Sequence, residues 1–260
     1  LPGNMVGSTS YESTNQAVAL ALKADKHTVQ LKYSWQDIPY EGYVNQRMDL
    51  TGNQQQRYNL QYWGGYDWGK LEAQAYYEQL NHQMQFGPNK QYWYPASMAA
   101  NAPLTTPGMP MDTNSNTSGV KVKGDINVAT NSLLRTGAEW QRYYLNDYWP
   151  PSGPATGMMA PGTYQNINGG LQQAASVFGE WEKSFDQQWK ALFGARYSLI
   201  NSSTGNVQGY SSNNMCGMMT CNYGADSATF NAANKSNSFN DVDVTLTGSY
   251  RHSDQQDMEL

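Results

Sequence analysis

The sequence predicts an all-β fold: an antiparallel transmembrane β-barrel, present as a fragment of about ten strands of a larger barrel, with short periplasmic turns and long extracellular loops. Three observations predict it. Apolar and polar residues alternate along many segments, as in strands with one face in lipid and one in water. The connections alternate between four to six residues and much longer stretches. Charged residues make up only 14%, while Tyr supplies 19 residues and Trp 8, the composition of a protein with aromatic girdles. With 39% hydrophobic residues and a mean hydropathy of -0.71, no stretch approaches the roughly 18 apolar residues of a spanning helix. A barrel strand needs only about ten residues, half of them facing lipid, so low mean hydropathy is what a barrel implies.

The elements follow in order. Val18, Leu20 and Leu22 alternate in a strand over 17–24, and Val29, Leu31, Tyr33 and Trp35 in one over 28–36, with Ala24 to His27 as the turn. Tyr58, Leu60 and Tyr62 mark 55–63. After Gly64 to Gly69 comes the clearest segment, 70–84, in which Leu71, Ala73, Ala75 and Tyr77 alternate with Glu72, Gln74, Tyr76 and Glu78. Val120 and Val122 mark 119–128, and Leu134, Thr136, Ala138 and Trp140 mark 133–145. Ala175, Val177 and Trp181 mark 173–183, the turn at Ser184 to Gln187 follows, and Phe193, Ala195, Tyr197 and Leu199 mark 188–200. Val242, Val244, Leu246 and Tyr250 mark 241–251, and the chain ends in what reads as the opening of another strand.

The long connections run from Asp37 to Gln54, Gln85 to Ser118, Asn146 to Leu171 and Asn201 to Asn240. Loops longer than about 15 residues are unusual in compact soluble domains. A soluble sandwich or propeller would share the period-two strands but not this sorting of turns by length. No tandem repeat or Pro-rich linker divides the chain. Leu1-Pro2-Gly3-Asn4 lacks the charged start and apolar core of a signal peptide, and the whole reads as a piece of a longer protein.

A net charge of -5 with few Lys and Arg argues against a nucleic-acid partner. Glu180 with Glu182, or Glu72 with Glu78, share a strand face and invite a hydrolase reading, but porin-like interiors carry such residues, balanced here by Lys121, Lys123, Arg135 and Arg196. No nucleophile triad, phosphate loop or zinc spacing occurs, and His27, His82 and His252 are widely spread, so the chain is not expected to be an enzyme.

One constellation carries chemistry. Continuing the register of 70–84 puts His82 and Met84 side by side on the polar face near the outer mouth of the lumen. An imidazole beside a soft thioether suits copper better than a hard cation. The bland alternative is a polar wall residue beside a space-filling methionine. Nine of the twelve methionines, namely Met48, Met98, Met109, Met111, Met158, Met159, Met215, Met218 and Met219, fall in the expected loops. Exposed thioethers there either bind soft cations or cap loops that fold over one another. Met109, Met111, Met215, Met218 and Met219 form the densest groups and are secondary metal candidates. Cys216 and Cys221 are the only cysteines and are expected to form a local disulfide in an external loop, with a thiolate site as the alternative.

Several stretches resemble the TonB-dependent outer-membrane receptors, and more narrowly the TonB-dependent copper receptors. They are Pro39-Tyr-Glu-Gly-Tyr-Val-Asn-Gln-Arg-Met-Asp49, Asn81-His-Gln-Met-Gln-Phe-Gly-Pro-Asn-Lys-Gln-Tyr-Trp93, Gly108-Met-Pro-Met111, Tyr148-Trp-Pro-Pro151, Phe178-Gly-Glu-Trp-Glu182 and Gly205-Asn-Val-Gln-Gly-Tyr210. The resemblance implies a bacterial outer-membrane barrel of about 22 strands enclosing an N-terminal plug. It also implies coupling to the TonB energy-coupling complex and copper as the transported ligand, with no organic cofactor. On this reading residues 1–260 are a partial receptor barrel with the plug absent. In the copper branch a barrel His-x-Met meets a Cys and a Met from the plug, which carries over here to His82 and Met84 alone. Alternatives are a siderophore or other organic chelate stacked on Tyr92, Trp93, Tyr148 and Trp149, and a non-transporting adhesin or phage anchor.

Overall fold

The computed structural model describes residues 6–46, 48–85, 110–151, 162–209, 215–216, 219–220, 223–253 and 256–259. Strands β1 (Tyr11–Ala24), β2 (His27–Glu41), β3 (Asp49–Tyr66), β4 (Gly69–Gln85), β5 (Met111–Ala129), β6 (Ser132–Trp149), β7 (Tyr164–Ser184) and β8 (Trp189–Ser203) follow one another as a meander. Two-residue strands β9 (Met215–Cys216) and β10 (Met219–Thr220) pair with each other, a helix spans Tyr223–Ala232, and β11 (Ser236–Ser253) and β12 (Gln256–Glu259) complete the chain. Ten strands make one antiparallel sheet in the order β1-β2-β3-β4-β5-β6-β7-β8-β11-β12.

Every expected strand is present, and the asymmetry of connections is sharper than expected. The turns at 25–26, 67–68 and 130–131 have two residues, and the strand ends that flank the long connections, Glu41 and Asp49, Gln85 and Met111, Trp149 and Tyr164, and Ser203 and Ser236, lie at the opposite end of the sheet. The strands overrun their expected bounds mostly at that loop end: β2 reaches Glu41, β3 starts at Asp49, β5 at Met111, and β6 reaches Trp149. The cause is physical. Apolar alternation is imposed only where one face meets hydrocarbon. Beyond that level both faces meet water, and a segment such as Met111 to Ser118 pairs through its backbone while remaining polar on both sides. Met111, Tyr148 and Trp149, expected in loops, therefore stand on strands.

The apolar rows are outward and uncovered. Val18, Leu20, Leu22, Val122, Val177, Phe193, Val244 and Leu246 are all exposed, Leu22 at 78%, and Leu50 is the one buried hydrophobic side chain among the described residues. Tyr77 is exposed and Leu71 only partly covered, so among the described residues no second sheet packs on this face, unlike the two packed sheets of a soluble sandwich. Aromatic residues gather at the turn end, where Tyr66 stacks on Trp68 at 5.1 Å and Trp189 meets Tyr250 at 4.7 Å, as at a membrane interface. Among the described residues no helix is long and apolar enough to cross a membrane, which says nothing of strands.

The opposite face is polar and cross-linked by charge. Arg57 pairs with Glu78, Lys121 and Arg196 with Glu139, and Arg135 with Glu180 (2.5 Å) and Glu182 (2.9 Å), which Lys190 also reaches at 2.7 Å. Glu180 and Glu182 are thus neutralised by cations rather than poised as an acid pair.

Two glycines are required by the backbone. Gly69 opens β4 at φ 144°, and a Cβ there would run into the Asp125 carbonyl across the β4–β5 ladder. Gly42 passes against the Ser8 backbone where the β2–β3 loop crosses the N-terminal segment. That crossing is fastened by Asp49, which is fully buried: its carboxylate accepts from Ser8 Oγ (2.8 Å), Tyr40 hydroxyl (3.0 Å) and the Tyr43 backbone N–H (2.9 Å).

Candidate metal site at the loop end of the sheet

Strand β4 carries His82 and Met84 at its loop end, on the face that also bears Glu72, Gln74 and Glu78. Register identifies their neighbours. His82 lies opposite Asn53 of β3 and Thr113 of β5, and Thr113 lies opposite Asp147 of β6. Met84 lies opposite Leu50 of β3 and Met111 of β5, and continuing the β5–β6 register brings Trp149 beside Met111. The result is a patch two rows deep across three strands, with His82, Thr113 and Asp147 in one row and Met84, Met111 and Trp149 in the other.

Directly opposed residues of antiparallel strands bring their Cβ atoms to about 5 Å, so two thioethers and an imidazole share one small area. His82, Met84 and Met111 are each partly buried, within reach of a ligand yet shielded from bulk water. Leu50, 3% exposed, closes the β3 side behind Met84.

The hydrogen bonding of His82 sets its chemistry. Its Nδ1 lies 2.9 Å from Asn53 Oδ1, which can only accept, so Nδ1 carries the proton and Nε2 presents its lone pair. The residue stands five positions beyond Tyr77, the last outward aromatic of β4, and 13 beyond the Gly69 turn, past the about ten residues a strand spends in hydrocarbon. Burial holds the His82 imidazole below its ordinary range, opposed by the charge of Asp147, so it is neutral at pH 7. A neutral imidazole with a preset Nε2 beside two thioethers is a donor set for a soft cation.

Asp147, 8% exposed, accepts from Thr113 Oγ1 at 3.0 Å and from Asn166 Nδ2 at 2.6 Å. Trp149 lies 5.3 Å from Tyr164, ring to ring, and its buried Nε1 has no hydrogen-bond partner among the described residues. Among those residues no group of three or more His, Cys, Asp or Glu gathers as a metal cluster, so a metal site here rests on thioether donors.

Other candidates fare differently. Met109, Met218, Cys221, Tyr92 and Trp93 lie outside the described residues, so the Cys216–Cys221 disulfide lies outside them too. Met215 and Cys216 stand on β9 and Met219 on β10, where Met219 is opposite Cys216. Asn53, Thr113, Asp147 and Leu50 were not singled out from the sequence. Extending the β6 alternation beyond Leu145 would have put Asp147 on the lumen face. The cross-strand pairing itself has no local signal.

No family profile matches the chain, and no curated protein matches it. Solved structures do. A copper transporter, OprC, shares the fold at a TM-score of 0.70 and 15% identity, over 94% of this chain and 36% of that one. The FrpB iron transporter from Neisseria meningitidis (F3-3 variant) aligns at a TM-score of 0.56 and 13% identity, over 93% of this chain and 34% of that one. The chain thus shares the β-sheet fold of part of these two proteins and spans about a third of their length. The likeness is one of fold, and both neighbours are named as transporters.

Proposed function

We propose that the chain is part of the barrel of a TonB-dependent receptor in the bacterial outer membrane that takes up copper, with His82 and Met84 as barrel-side ligands. The observation that carries the reading is the placement of Met111 directly across from Met84, beside an imidazole whose Nε2 lone pair is preset by Asn53. Three soft or borderline donors on adjacent strands discriminate for copper against hard cations by ligand type. The resemblance supplies the rest: a plug domain contributing a Cys and a Met to complete the coordination, and the TonB complex supplying energy. The name of one structural neighbour, a copper transporter, agrees with the reading. Met109, Met215, Met218 and Met219 remain candidates for a capture surface, and Cys216 with Cys221 for a disulfide that ties their loop.

The test is replacement of both His82 and Met84 by Ala in the intact receptor, with copper binding measured by calorimetry. High-affinity binding is expected to disappear while the barrel stays folded. Equal affinity in the double variant and the parent would shift the reading to uptake of an organic chelate. One observation favours that second reading: Trp149 and Tyr164 place adjacent rings on the upper row of the same patch, with an indole N–H that has no hydrogen-bond partner among the described residues.

A further inference from the structure

The pairing ladders set one row of outward residues on a slope. His27, the first residue of β2, lies opposite Gly64, third from the turn end of β3, and Gly64 lies opposite Leu71, third in β4. Leu71 pairs with Gly124, sixth from the turn end of β5. The row runs on through Thr136 and Gly179 to Ala195, seventh in β8. Since the short turns mark one membrane level, the row leaves the interface at His27 and climbs into the hydrocarbon as it crosses the tilted strands. From β5 to β8 it floors an open groove of about 800 Å³, walled by Val122 and Val177 on one side and by Trp68 and Ile126 on the other. The backbone does not require glycine on this floor: φ is not positive at Gly124 or Gly179, and a Cβ at Gly179 would meet nothing within 4 Å. Thr136 Oγ1 donates to the Phe178 carbonyl at 2.9 Å, so the floor is satisfied internally.

At its interface end the groove meets a polar cluster. Tyr62 and Tyr66 flank Gly64 on the same face, and a Cβ at Gly64 would strike the Tyr62 hydroxyl and the Tyr66 ring, so glycine lets both phenols lean towards the imidazole. His27 Nδ1 lies 2.8 Å from the Tyr62 hydroxyl, which in turn meets the Tyr66 hydroxyl. Tyr66 stacks on Trp68, the wall residue of the groove, which makes cluster and groove continuous. With Tyr66 donating to Tyr62 and Tyr62 to Nδ1, the Nε2 proton of His27 is offered to an acceptor. Asp25 and Asp67, both exposed, stand in the two turns beside the cluster, while the stem of Lys26 lies against Gly65, on the opposite face.

We propose that this surface seats one phosphoethanolamine lipid of the leaflet at the turn end. Its phosphate accepts from His27, its ammonium meets the carboxylates of Asp25 and Asp67, and one acyl chain follows the groove. The inference needs the outward face to meet a bilayer and is independent of the copper site. Two observations select the occupant. Carboxylates in the turns, a donor one residue inside them and an apolar floor at the fifth to seventh residues reproduce the order of ammonium, phosphate and acyl chain along such a lipid. The turn carboxylates also oppose an anionic headgroup and attract a cationic amine.

The test titrates the intact receptor in detergent with palmitoyl-oleoyl-phosphatidylethanolamine and counts bound lipid by native mass spectrometry. One lipid is expected to bind more tightly than those that follow, and phosphatidylglycerol with the same chains more weakly. Gly179→Leu and Ala195→Leu fill the groove with a side chain suited to lipid, and each is expected to weaken the first lipid about tenfold. His27→Phe keeps a ring and loses the donor, with a loss of about tenfold. Val18→Leu, outward on β1 and away from the groove, is expected to bind as the parent does. Folding of each variant is checked by the heat-dependent mobility of the barrel on gels. Parent-like affinity in His27→Phe, or in the groove variants that fold, overturns the inference, as does equal or tighter binding of phosphatidylglycerol. A dimer that retains no lipid and that Gly179→Leu breaks also overturns it, because the groove then holds a second copy of the chain.

Discussion

Replacing Val122 by Arg tests the assignment of faces on which every functional statement here depends. Val122 is 46% exposed on the outward face, between Ala73 of β4 and Ala138 of β6. It stands seven residues from Ala129 at the turn end of β5, about 23 Å along the strand at about 3.3 Å per residue. A tilt of about 40° reduces that to roughly 18 Å along the membrane normal, near the middle of a hydrocarbon layer of about 25 Å that begins a few ångströms above the turn. Arg at such a depth costs about 2–4 kcal/mol, equivalent to a roughly 30- to 1000-fold shift in the folding equilibrium. The control is Gln141→Arg on β6, on the polar face opposite Gly119 and Ala174, where the same charge meets water and is expected to cost under about 1 kcal/mol. The assay is equilibrium unfolding by guanidinium of the intact protein in phosphatidylcholine vesicles. Equal costs at the two positions, or a larger cost for Gln141→Arg, would refute the reasoning, because the two faces would then meet the same environment.

Three further outcomes are expected. Asp49→Ala strands the Ser8, Tyr40 and Tyr43 donors at a fully buried point; it should cost about 1–3 kcal/mol and speed amide exchange in 42–48, which exchange mass spectrometry reads. Asn53→Ala frees the His82 ring and its tautomer, so copper affinity should fall about 10- to 100-fold while unfolding is little changed. Because burial lowers the His82 pKa beneath 6.5, the imidazole stays a free-base ligand at neutral pH, and protons compete with the metal only as pH falls below that lowered pKa. The factor by which His82→Ala weakens copper binding is therefore expected to stay constant from pH 8 to the ordinary imidazole value of 6.5 and to shrink only at lower pH, measured by calorimetry on parent and variant across that range.

Much of the architecture is legible in single segments, because the bilayer imposes a local rule. A strand with one face in hydrocarbon must alternate, so Leu71, Ala73, Ala75 and Tyr77 announce β4, and Val242, Val244 and Leu246 announce β11. The sorting of short turns from long connections then orders the strands into a meander without any tertiary information. The same local rule puts His82 and Met84 on one face, since two residues along a strand are always neighbours on the same side. The rule falls silent above the membrane. There, Met111 to Ser118 and Asn146 to Trp149 are polar enough on both faces to read as loops, and they are strand.

What the sequence by itself determined is therefore the membrane-facing half of the fold and the His82–Met84 pair. Which residues face that pair from β3, β5 and β6 was decided only by the tertiary structure. Residues from Leu50 to Trp149 meet in the patch through interstrand register, and register is the sum of backbone ladders running the whole length of neighbouring strands. A one-residue slip between β4 and β5 would turn Met111 and Thr113 to the outer face and leave the local sequence unchanged. The physical reason is the range of the interactions: alternation is dictated within a few residues by solvent, whereas Met84 beside Met111, and Asp147 beyond Thr113, depend on pairing between segments far apart in the chain.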